Sequence, residues 1–158
     1  MKFSRFLAAA CGIVLGVPLA SAGRQSAEEI TREKIFAAGP AWQEKYDQYE
    51  PPAEMLDALK TGLAGNVKID VYLGLWCPDS RNNVPPFIKI LDAVGGGIPL
   101  RFFDVPRKAS RDIKYYVEEL GVERVPTFIV YREGKEIGRI KENPKAGMLE
   151  DLMDIVLK

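Results

Sequence analysis

Apolar residues recur along this chain with different periods, and each change of period marks an element. Residues 6–19 are apolar almost without a break, preceded by Lys2 and Arg5 and followed by Ala20, Ser21 and Ala22. Ser26 with Glu29 three positions on forms a capping box, and Ile30, Ile35 and Phe36 give a helical face ending at Gly39-Pro40. Trp42, Tyr46 and Tyr49 share a second helical stripe, stopped by Pro51-Pro52, and Met55, Leu56, Leu59 and Leu63 begin a third. Such stripes ordinarily pack on a domain, so no ligand is assigned to the aromatic one. At Val67 the pattern becomes β-branched and continuous through Leu73, as a central strand requires. Phe87, Ile88, Leu91 and Val94 then carry a helical face closed by Gly95-Gly96-Gly97, and residues 100–103 read as a strand reached by a helical crossover. Ser110 can cap a helix through Tyr115, Tyr116 and Leu120 that closes at Gly121. Residues 127–131 form a strand, Glu133-Gly134 turns the chain, residues 135–141 pair back, and Leu149, Leu152, Met153, Ile155 and Val156 face a last helix. The expected order is three helices followed by βαβαββα.

The first 22 residues have the charged, apolar and small-residue segments of a secretory signal, with cleavage expected after Ala22. The apolar stretch is short of the ~20 residues a membrane span needs, so a retained anchor is the lesser alternative and stable membrane insertion after cleavage is not expected. Cys11 leaves with the signal. Residues 23–158 then make a single domain, with 23–64 as an N-terminal helical extension and 66–158 as the core. The signal holds two of the 22 basic residues and none of the 22 acidic ones, so the mature chain carries a formal charge of −2 and gives no support to nucleic-acid binding. Its destination would be periplasmic or otherwise extracytoplasmic, where small proteins commonly carry paired cysteines, yet only Cys77 remains. Histidine is absent, which excludes Cys-His and Ser-His catalysis and imidazole metal sites. No metal, haem or other bound cofactor is expected.

The first strand leads into Trp76-Cys77-Pro78-Asp79-Ser80, with Pro85 eight residues beyond Cys77 and Val125-Pro126-Thr127 before the later hairpin. From about Val67 to Leu157 this resembles the thioredoxin superfamily, which implies an α/β thioredoxin-like fold: a central mixed sheet flanked by helices. In that family the first cysteine of Cys-x-x-Cys is the nucleophile, and Cys77 takes its position. The physical reason is that a sulfur at a helix N-terminus faces unpaired N–H groups and the positive end of the helix dipole, which favour thiolate over thiol. Arg81 and Arg124 would add to this if near the sulfur, and Asp79 would oppose it. The plainer alternative for Cys77 is a buried, inert thiol. The resemblance also makes Pro126 a cis-proline opposite the cysteine, with Val125 able to pair with an extended peptide as an added strand and Thr127 beside it. Trp76 and Pro78 would flank this binding site, although Trp76 serves equally well as core filler.

Ser80 departs from the two-cysteine pattern. A hydroxyl cannot resolve a mixed disulfide, so intramolecular disulfide cycling is excluded. Ser80 either donates to the Cys77 sulfur or supports the first helical turn. A second departure is Val71, which stands where many thioredoxins carry a buried acid; Asp70, one residue away, should point to the other face. Asp104, after the second strand, receives no catalytic role. These residues support single-thiol exchange through Cys77, with mixed disulfides to cysteine-containing client proteins or small thiols and release by an external reductant such as glutathione. The rival is a redox-inactive module that holds extended peptides between Trp76 and Val125-Pro126. Gly74, where a peroxidase of this superfamily would have a hydroxyl residue, argues against peroxide chemistry.

Overall fold

A computed structural model describes residues 27–108, 114 and 117–158. The expected signal segment, the Ser26 cap, the Ser110 cap and Tyr115 and Tyr116 lie outside the described residues. Strand β1 (Glu28–Ile30) is followed by helices α1 (Arg32–Ala37), α2 (Pro40–Gln48) and α3 (Ala53–Gly62), strand β2 (Val67–Leu73), helix α4 (Pro78–Val94) and strand β3 (Leu100–Asp104). Residues 117–119 are helical. Strands β4 (Thr127–Arg132) and β5 (Lys135–Lys141) and helix α5 (Met148–Val156) complete the chain.

The start of the first expected helix is corrected. Glu28–Ile30 is extended and pairs antiparallel with Phe102–Asp104 on β3, and α1 begins only after Thr31, whose Oγ1 accepts the Lys34 N–H at 3.3 Å. A free sheet edge outcompetes a local capping box, because pairing satisfies backbone donors and acceptors on both strands. The N-terminal segment therefore contributes a strand as well as helices.

The five strands form one mixed sheet in the order β1-β3-β2-β4-β5, with β2 and β3 parallel and the other pairs antiparallel. Along β2, Ile69, Val71 and Leu73 enter the larger core with Leu59, Phe87, Phe128, Leu149 and Leu152. Tyr72 faces the opposite side with Phe103, Val117, Val122 and Ile129. Asp70 also lies off the larger core, as the two-residue period of a strand demands. It is buried and takes two hydrogen bonds, at 2.9 and 2.7 Å, from Arg101, its direct cross-strand partner. That bonding pushes the Arg101 guanidinium further above its ordinary value.

Helices α3, α4 and α5 cover the larger core, α2 rests on α4, and α1 packs on α2. Trp42 is buried there, with Tyr46 and Tyr49 packed against the same cluster, so the aromatic stripe is a packing face. Arg32 reaches the Asp92 carboxylate at the far end of α4, and Tyr46 donates its hydroxyl to the same carboxylate at 2.6 Å. These contacts leave the N-terminus of α4 open, and the candidate chemistry sits there.

Candidate functional site

Strand β2 ends at Leu73, and the next four residues form a turn held from three directions. Gly74 carbonyl accepts the Cys77 N–H at 2.9 Å. Gly74 N–H donates to Ser80 Oγ at 3.1 Å, Leu75 N–H donates to Asp104 Oδ1 at 3.1 Å, and Trp76 Nε1 donates to the Val105 carbonyl at 2.8 Å. The indole folds back over Gly74 so closely that a Cβ there would lie 2.8 Å from Trp76 Nε1. Its outer face remains 45 % exposed, with the Arg107 guanidinium 5.5 Å from the ring centre.

Cys77 is the N-cap of α4, in extended backbone, with Pro78 at the first helical position. Proline suits that place because its missing N–H would have had no helical partner. Cys77 is buried, with only 7 % of the residue exposed. Cys77 Sγ donates to the Val125 carbonyl at 3.4 Å, and the Val125–Pro126 peptide is cis. The sulfur thus abuts the segment expected to receive an extended peptide.

The segment around Val125 is braced from below. Thr127 is fully buried and donates its hydroxyl to the Arg124 carbonyl at 2.7 Å. Pro126 carbonyl accepts the Glu142 N–H at 2.7 Å, and Arg124 binds the Glu142 carboxylate at 2.8 Å. Asn83, one turn into α4, donates to the carbonyls of Asp79 and Glu142 and to Asn143 Oδ1 at 2.9 to 3.1 Å. The cysteine helix and the proline loop are therefore joined through the end of β5.

Trp76, Cys77, Pro78 and Val125 line one cleft of about 670 Å³. Asp79, Glu142 and Arg124 also border it, as do Arg107 and Lys114. Arg124 thus lies by the thiol's cleft, whereas Arg81 is not among its lining residues. Three expected site residues, Ser80, Pro126 and Thr127, are buried and are not among the residues that line the cleft. Ser80 is fully buried and its oxygen accepts from Gly74 N–H, so it supports the loop before α4 and not the first helical turn itself, and Thr127 braces the loop from inside. Asp104, given no catalytic role from the sequence, accepts from Leu75 N–H, whereas the parts played by Asn83 and Glu142 were missed. The position of Asp104 at a strand end was a visible signal; nothing local marked the other two. A second cleft, of about 450 Å³, lies between β1 and the end of α4, but its Arg32 and Asp92 are already paired and no cysteine lines it. Among the described residues no cluster of three or more Cys, His, Asp or Glu side chains is arranged to hold a metal ion.

A cysteine capping the helix after a central strand, set against a cis X–Pro bond in a mixed sheet, defines a thioredoxin-fold protein. Residues 26–154 match the family profile described as thioredoxin, and the chain belongs to that family. Among solved structures it is similar to a Pseudomonas aeruginosa protein of unknown function, at 16 % identity and a TM-score of 0.59, over 83 % of this chain and 92 % of that one. An HIV epitope scaffold gives 16 % identity and a TM-score of 0.55 over 83 % of this chain and 91 % of the scaffold. Fasciola hepatica thioredoxin is 21 % identical over 54 % of this chain and 77 % of its own, with a TM-score of 0.40. Fold and family together make this a protein of the general thiol–disulfide oxidoreductase-like kind.

Proposed function

We propose that the protein performs single-thiol exchange through Cys77, outside the cytoplasm and after loss of residues 1–22. The observation that carries this reading is the placement of Cys77 Sγ at the N-cap of α4, 3.4 Å from the Val125 carbonyl and on the wall of an open cleft. Once ionised, the sulfur attacks one sulfur of a client disulfide. A Cys77–client bond forms as the client's S–S bond breaks, and the electron pair departs on the other client sulfur as a thiolate. An external thiolate, such as glutathione, then attacks the client sulfur, restores the Cys77 thiolate and carries the client away in a new disulfide. One disulfide is exchanged for another with no net oxidation, as a site without a resolving cysteine requires.

In this reading Val125 offers its backbone to an extended client, Trp76 and Pro78 form the flanking wall, and Ser80 and Thr127 keep the two segments in register. Helix α4 contributes the unpaired N–H groups of its first turn, which favour negative charge at its start. The burial of Cys77 and its bond to Val125 favour a second reading, a module that holds peptides without covalent turnover.

The test is to incubate the protein with oxidised glutathione or a disulfide-bonded peptide, quench with an alkylating reagent and map adducts by peptide mass. A mixed disulfide on Cys77 that added thiol removes is the expected result. If Cys77 forms no adduct while the denatured protein does, and Cys77→Ala binds the peptide as well as the parent, the non-covalent module is the correct account.

A further inference from the structure

Among the described residues, two non-glycine residues adopt left-handed backbone, Glu133 at φ 52° and Glu142 at φ 60°. Glu133 is explained by its place: with Gly134 at φ 80° it makes the two-residue turn between β4 and β5, where both positions need positive φ. Glu142 has no such explanation. It follows the last residue of β5, and its two backbone bonds, to the Pro126 carbonyl and from Asn83, could be made by glycine without the steric penalty a Cβ incurs there. What glutamate adds is a carboxylate, and that carboxylate pairs with Arg124 on the border of the Cys77 cleft. Strained backbone retained beside a reactive group is a reason to look for a role in the side chain.

We propose that Glu142 is a specificity-determining residue that favours clients with basic residues flanking their reactive cysteine. This rests on the exchange reading above. Glu142 is anchored on both sides of its backbone and its side chain is 33 % exposed, whereas the Arg124 side chain is 68 % exposed on a long stem. The carboxylate is therefore the fixed charge and Arg124 a displaceable counter-ion. A client lysine or arginine beside the mixed disulfide takes the place of the Arg124 guanidinium, which swings into solvent. Asp79, next but one to Cys77, and the carboxylates of Glu118 and Glu123 border the same cleft, Glu123 being paired with Lys141 at 3.6 Å. The cations Arg107 and Lys114 also border the cleft, but Arg107 is stationed over Trp76.

The experiment uses two blocked pentapeptides, identical except that lysine or glutamate flanks a central cysteine, each oxidised to its homodimer. Rates of mixed-disulfide formation with Cys77 are measured for both, and the lysine-to-glutamate ratio is compared among the parent, Glu142→Gln and Arg124→Gln. Comparing ratios cancels the peptides' own reactivities. Glu142→Gln is expected to lower the ratio by about threefold or more and Arg124→Gln to raise it, the scale of one partly exposed charge pair. If the variants slow both peptides equally and leave the ratio unchanged, Glu142 is only a brace and the proposal fails while the exchange reading stands. If neither peptide exchanges, titration of the reduced peptides into Cys77→Ala, read by tryptophan fluorescence, decides. A charge-dependent affinity that Glu142→Gln erases discards the exchange and leaves Glu142 selecting basic peptides for the non-covalent module; a charge-independent affinity or absence of binding overturns the proposal as well.

Discussion

Ser80 is the residue at which a structural and a catalytic role separate most cleanly. Its Oγ is fully buried and accepts the Gly74 N–H at 3.1 Å, and Gly74 in turn accepts from Cys77 N–H. Ser80→Ala removes one oxygen and leaves too small a void to matter, but it strands a buried backbone donor. An unsatisfied buried donor costs about 1–3 kcal/mol. For a domain of this size each kcal/mol corresponds to roughly 3–5 °C, so the melting temperature is expected to fall by roughly 3–15 °C. Circular dichroism melting of the parent, Ser80→Ala and Ser80→Thr measures this; threonine keeps the acceptor and should recover part of the loss if its methyl is accommodated. Exchange should slow only as far as the turn loosens. Two results would refute the reasoning: a melting temperature within about 1 °C of the parent, or undiminished stability with abolished exchange, which would make Ser80 a direct partner of the sulfur.

Gly74→Ala would put a methyl 2.8 Å from Trp76 Nε1 and 2.9 Å from its Cε2. The indole should swing out, lose its bond to the Val105 carbonyl and redden its fluorescence, at about 1–3 kcal/mol of stability; an unchanged emission spectrum would show the loop gives way instead. Burial alone would push the Asp92 carboxyl up, but hydrogen bonds from Arg32 and Tyr46 outweigh it and hold the group below its ordinary value. The unfolded chain therefore takes up this proton more readily, so the stabilisation is present above the ordinary carboxylate range and is lost as pH falls through the lowered value. Tyr46, pushed up by its bond to Asp92 and by burial, works at the other end: its share is present below about pH 10 and fades as pH rises beyond it. Asp92→Asn should flatten the acid limb of a melting-temperature profile below about pH 4, and an acid limb identical to the parent's would contradict the pairing.

From Val67 onward the order of strands and helices was legible because each boundary is signalled within a few residues: a change of period, a glycine run, a two-residue turn. The opening strand was not, since three extended residues carry no periodicity and Glu28–Ile30 is ordered by Phe102–Asp104, far along the chain. The site divides in the same way. The chemical identity of Cys77, the lack of a second thiol at Ser80 and the absence of histidine are properties of the sequence, and they limit the chemistry before any folding is considered. That Cys77 is buried against Val125, that Asp104 holds Leu75, and that Asn83 reaches Glu142 are contacts spanning 48, 29 and 59 residues. Local preference carries no information at such separations. Only the packing of α4 and the proline loop against one sheet brings these groups within hydrogen-bonding distance, and their directionality at 3 Å then turns the Cys77 thiol into part of a defined site.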